Sequence, residues 1–381
     1  MKTKILSLLG IIIFLNSCID DEQEKLPEFT IPTTYEFERD GASTVNFQGQ
    51  TDRLNMLSEL KAYLVSGDQG TNLSSQKLLE MYANENAPFE DATLNSSSKQ
   101  LEDKTNPSEV GFVKELLVQA AEVSADVAEN NTLATEGVAG KIERGTSGNF
   151  ININEKGWEF TQFIEKGLMG SVFYHQIFNV YLSDSKIGSE VDNENLVEGE
   201  NYTQMEHHWD EAFGYLGVPV DFPNVNPVLP DEYKRFWANY TNGRDPLLGT
   251  NKMLVDAYIT GRAAITAQNY PLKNAQREII IDAHELVSAA TAVHYINSSM
   301  NSLNAGDQGS LFHSLSEAYA FVKALQFSPR KKIDQAQINE ILQEDFGSDG
   351  DFWTITMEGL ENVKNKLTTA YPVLKDVKDE I

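Results

Sequence analysis

An imidazole and a carboxylate one helical turn apart can grip the same cation, and His208 and Glu211 stand in that relation within YTQMEHHWDEAFGYLGVP at 202–219. Thr203 and Glu206 have the spacing of a capping box, so the spacing predicts a helix from Thr203, with Gly217 and Pro219 to stop it. On that helix Met205, Trp209, Ala212 and Leu216 form an apolar stripe, with His208, Glu211 and Tyr215 along one side and His207 and Asp210 pointing elsewhere. Two ligands from one helix make half a site. The other half must come from a second helix, and His175, His284 and His294 are the candidates, each on or beside the apolar stripe of a long predicted helix. Neutral imidazole with carboxylate suits ferrous iron or zinc. The competing reading is that His208 is a satisfied interior histidine, Glu206 only a cap and Glu211 a solvated acid.

The elements that would position these groups read as an all-α chain. Leu54, Leu57, Leu60 and Leu64 stripe a first helix, and a short one follows at 74–84. Pro107 opens a long helix striped by Val113, Leu116, Ala120, Val123 and Val127. The span 157–183 carries Ile164, Leu168, Ser171, Val172, His175 and Phe178 on one face, which turns His175 inward. Asp245 and Pro246 are expected to cap and open a helix containing Leu254, Tyr258 and Ile265. A helix over 272–300 places Ile280, Ala283, Val287, Ala290 and His294 inward, with His284 and Glu285 beside them. Further helices are predicted at 309–326, 335–344 and 353–370, and no strand is expected beyond an extended piece near 35–47.

Two loops imitate ligand motifs and fail on residue type. EGVAGKIERGTSG at 136–148 lacks the first glycine of a phosphate loop, where Thr135 stands, and has Ile142 in place of the magnesium-binding hydroxyl, so it reads as a flexible loop. DFGSDGD at 345–351 puts Gly347 at the third calcium-ligand position and Thr356 at the twelfth.

Charge and the N-terminus bound the setting. A net charge of −27 over 381 residues excludes nucleic acid as a natural partner and favours cations or basic surfaces. Between Ile187 and Tyr233 there are eleven acidic residues and no lysine or arginine. MKTKILSLLGIIIFLNSC has the basic start and short apolar run of a signal peptide. Its LNSC resembles the bacterial lipobox, which implies lipidation of Cys18, the only cysteine. The following IDDEQE resembles the export signal of surface lipoproteins. The expected organisation is a signal peptide at 1–17, a lipidated tether at 18–48, and two packed helical, bundle-like halves at 49–190 and 191–381.

GQTDRL at 49–54, HHWDEAFGYLGVP at 207–219, AVHYIN at 292–297 and LSEAYAFVKAL at 315–325 resemble the lipoproteins of domain-of-unknown-function family 4856. More distantly, the HxxE of His208 and Glu211 resembles the GxHxxE motif of imelysin-like proteins, exported helical proteins associated with iron uptake, although Glu206 stands where that motif has glycine. These resemblances imply an imelysin-like helical lipoprotein at the outer membrane that binds iron or an iron complex alongside an outer-membrane receptor. Two alternatives stand beside it: a non-enzymatic surface protein that binds a protein or glycan in nutrient uptake, and a metal-dependent peptidase. No HExxH, no Gly-x-Ser-x-Gly and no spare thiol supports catalysis, so binding is the expectation.

Overall fold

Leu54, Leu57, Leu60 and Leu64 are all buried on one face of α1 (Gln48–Asp68), the first long helix of the computed structural model of the chain. The structure describes residues 29–381; the expected signal peptide, the lipidation site Cys18 and the start of the tether lie outside the described residues. Ahead of α1, β1 (Glu38–Arg39) pairs antiparallel with β2 (Ala42–Ser43). After it come α2 (Ser75–Ala83), whose N-cap Ser74 accepts from the Lys77 amide, α3 (Ala92–Ser96) and α4 (Val110–Asn130).

The stretch expected to be a glycine-rich loop is instead a hairpin. β3 (Gly140–Arg144) pairs with β4 (Asn149–Ile153), with Ile142 opposite Ile151. Its turn uses Gly145 and Gly148 at positive φ, so the glycines that suggested flexibility serve a tight reversal. α5 (Phe160–Leu168) then continues through two π-helical stretches, Met169–Tyr174 and Gln176–Tyr181. Ser171, Val172 and Phe178 stay buried through these wider turns, as their spacing requires. His175, expected to point inward, is only half-buried, at the edge of that face beside Asn106 and Asn179.

α6 (Asp184–Ile187) leads to α7 (Gln204–Gly214), which begins at Thr203 as expected. It stops a turn short of Gly217, where Gly214 lies so close to Phe47 and Gln50 that a Cβ would come within 2.7 Å of the phenyl stem. Pro246 does not open a helix: it sits in the last turn of α8 (Phe236–Leu248), and α9 (Thr250–Thr266) starts after Gly249 in the left-handed conformation. Asp245 lies inside α8 and is not the N-cap of α9, which is Gly249, but its Oδ1 accepts from the Asn251 amide in the first turn of α9 at 2.8 Å. α10 (Tyr270–Ala305) is the central helix, packed against α9, α11 (Gln308–Ala324) and, beyond α12 (Gln335–Glu340), α13 (Met357–Ala370). The chain is all-α, with two small hairpins among the described residues. One hydrophobic core runs from Tyr35 to Leu374 and takes in both expected halves.

That core encloses an ionic cluster. Arg262 of α9, fully buried, donates from Nη1 to Glu206 Oε1 and from Nε to Asp210 Oδ1, both at 2.9 Å. Its Nη2 reaches Thr44 Oγ1 at 3.0 Å, and its plane lies over the Phe37 ring. Tyr35 OH completes the shell of Asp210 at 2.8 Å. Burial pushes the Asp210 carboxyl up to about 6 in spite of the adjacent guanidinium. Arg262→Ala leaves two buried carboxylates without their main partner and is expected to cost about 3–5 kcal/mol. Urea denaturation at pH 7 checks this; a loss below about 1 kcal/mol would mean that the cluster contributes little.

Candidate functional site

The helix that carries His208 and Glu211 is set by its own ends and by Arg262. Thr203 Oγ1 accepts from the Glu206 amide while Glu206 Oε2 accepts from the Thr203 amide at 2.9 Å, the predicted capping box. The other Glu206 oxygen goes to Arg262, Thr266 and Arg39, so this glutamate both caps the helix and ties it to α9. Met205, Trp209, Ala212 and Leu216 are buried as their spacing requires.

His208 and Glu211 face different surroundings. His208 donates from Nδ1 to the Lys186 carbonyl at 2.7 Å, and its Nε2 is 3.5 Å from the Lys186 ammonium. Desolvation holds this imidazole below its ordinary range, so it is neutral, with its free lone pair turned to a cation. Glu211 accepts from Gln50 Nε2 at 3.2 Å, and the histidine beside it is His207, at 4.0 Å, itself stacked on Tyr202.

The three other candidate histidines lie elsewhere. Asn106 and Asn179 approach His175 Nδ1 at 3.3 and 3.4 Å, which makes Nδ1 the acceptor. His284 is enclosed by the edges of Tyr174, Phe178 and Tyr258, with Nε2 3.1 Å from the Tyr258 hydroxyl, and burial drives its protonation down to about 3. His294 is half-buried beside Tyr295, and desolvation together with Arg244 keeps it neutral. The structure does not bring the five expected ligands, His208, Glu211, His175, His284 and His294, into one pocket. Among the described residues no group of three or more His, Cys, Asp or Glu side chains is placed to hold a metal ion. Helical phase was right for several of them, but each helix turns its histidine toward a different neighbour.

A different set of residues does converge. The end of α1, the end of α4, the β3–β4 hairpin and the starts of α5 and α11 enclose an open cavity of about 780 Å³. Asp68, Glu159 and His313 line it, from three elements far apart in sequence. Asp68 accepts from the Asn152 amide at 2.8 Å and from the Thr161 hydroxyl at 3.0 Å. Glu159 Oε2 is paired with His313 Nδ1 at 2.7 Å. Burial, then the nearby Glu159 carboxylate, pushes Asp68 up to about 7, against the pull of its hydrogen bonds and of His313. Near neutral pH Asp68 can therefore donate as well as accept. Around this floor stand Gln69, Asn131, Asn149 and Gln162, the Thr161 and Ser310 hydroxyls, Lys61, Lys141 and Arg144, and the Phe150 ring. Sequence reading missed Asp68, Glu159 and His313 because no local spacing links them.

A helical chain with one large polar cavity at the mouth of a hairpin is the class of protein these features define. The chain matches the family described as a domain of unknown function (DUF4856) over residues 32–373 and belongs to that family. No curated protein and no solved structure matches it.

The fold favours protonated Asp68. The stability contributed by that form is fully present below the ordinary carboxylate range and is lost as pH rises through about 7. Burial holds His175, His208, His284 and His294 below the ordinary imidazole range, and their contribution runs the other way, rising with pH, so Asp68 is read from a difference: in chemical denaturation the stability of the wild type relative to Asp68→Asn is expected to be lower at pH 8 than at pH 5. If that difference is the same at both pH values, Asp68 does not titrate between them.

Proposed function

We propose that this is a lipid-anchored protein of the cell envelope that captures a small, hydroxyl-rich solute of the glycan class in the large cavity, without chemical change, as a step in nutrient uptake. The observation that carries this reading is the cavity lining. Amide, hydroxyl and carboxyl groups dominate; Lys61 is paired with Glu165 at 2.9 Å, which leaves Lys141 and Arg144 to stand with Asp68 and Glu159 in a chain whose net charge is −27. A wall that is locally near charge balance, in so acidic a protein, suits a neutral ligand held by many hydrogen bonds better than an ion. The cavity volume is in the range that encloses a small organic molecule. The leader that ends at Cys18 supports anchoring in the outer membrane, where a receptor could take up the ligand.

A second reading, capture of ferrous iron, zinc or an iron complex, keeps one specific support in the Glu159–His313 pair with Asp68 beside it. Calorimetric titration of the full-length chain in detergent, with neutral oligosaccharides and separately with iron(II) and zinc, tests both. Saturable sugar binding, weakened by about tenfold in Gln162→Ala or Asn149→Ala, is expected. Metal uptake lost in His313→Ala would favour the second reading, and metal uptake lost only in His208→Ala would return the site to α7. If neither probe binds, both readings fail.

A further inference from the structure

A second, smaller cavity of about 300 Å³ opens where the N-terminus of α1 meets the 99–104 segment, Tyr181 and α7. Its lining opposes the charge of the molecule: Arg53, Lys99 and Lys104 face it, with Glu211 the one carboxylate on its wall. Neither lysine has a carboxylate within 4.0 Å among the described residues.

Arg53 is almost wholly buried and is aimed by backbone rather than by acid. Its Nε donates to the Gln100 carbonyl at 2.8 Å and Nη1 to the Gly49 carbonyl at 3.2 Å. Nη2 forms a long ion pair with the exposed Asp103 at 3.7 Å, and the guanidinium also lies beside the Tyr215 hydroxyl. Among the described residues the only carboxylate that matches this buried charge is thus an exposed and distant one.

The backbone agrees. The N-cap residue of α1, Phe47, offers no side-chain cap and the first turn holds no acid; Asn46 Oδ1 accepts from the Gln48 amide at 3.3 Å, and the positive end of the helix faces the same space as the three cations. Gly49 lets the Lys99 stem cross that end, since a Cβ there would meet Lys99 Cε at 3.0 Å. At the far wall Gln50 holds Glu211 and the Tyr181 hydroxyl, each at 3.2 Å, and presents acceptors for a donor group.

We propose that this cavity binds a small organic oxyanion, a carboxylate or phosphate group held by Arg53, Lys99 and Lys104 and by the α1 N-terminus, with a hydroxyl or ammonium of the same molecule on Glu211. The site is separate from the large cavity and does not rest on the function proposed above.

Calorimetric titration of the full-length chain in detergent at low ionic strength, with inorganic phosphate and with citrate as probes, decides it. Saturable binding of either probe is expected, and the stronger one identifies phosphate or carboxylate as the group recognised. Lys99→Ala with Lys104→Ala, two partly exposed positions whose replacement leaves the core intact, should weaken binding by about tenfold or more. Lys141→Ala, on the large cavity, should leave it unchanged. No saturable binding of either probe overturns the proposal, as does binding that survives in the double variant while its thermal unfolding matches the wild type.

Discussion

The guanidinium of Arg262 is the point from which the rest of the fold is hung. It joins α9 to Glu206 and Asp210 of α7 and, through Thr44 and Phe37, to the first hairpin. A charge so completely buried tolerates little displacement, because each lost hydrogen bond would leave an ion in a medium that cannot solvate it. The face that α7 turns to its neighbours is thereby fixed. Trp209 lies against Gly261, where an added Cβ would come within 2.0 Å of the indole, so the helix cannot rotate to bring His208 elsewhere.

That fixed rotation has chemical consequences on both sides of α7. His208 ends on the Lys186 carbonyl, while His207 and Glu211 look into the small cavity. The overall acidity of the chain does not extend evenly into its concavities. Both carry cationic side chains, and the acid-rich segment at 188–203 lies largely on the surface. Electrostatics at a site is decided by the few groups that share its boundary, and the net charge governs only the long-range field.

The large cavity shows the same separation between average and local character. Asp68 is drawn toward neutrality by burial and by Glu159, although Asn152 and Thr161 both stabilise its charged form. Glu159 is balanced by His313. With Asp68 drawn toward its protonated form, the same wall can offer both donors and acceptors to a ligand.

The sequence by itself determined most of the helices. Leucine spacing in α1, the capping box at Thr203 and Glu206, and the stripe of Met205, Trp209, Ala212 and Leu216 are written in residues within a few turns of one another, where backbone hydrogen bonding sets the period. It went astray where local signals were ambiguous. Glycines that read as a loop closed the β3–β4 turn, Pro246 sat in a last turn rather than a first, and His175 came to lie at the half-buried edge of its helix face. Only the tertiary structure decided which polar side chains meet. Asp210 and Arg262, or Asp68, Glu159 and His313, come together through the packing of separate helices. The rotation of one helix against another depends on long-range contacts that no repeat along the chain encodes.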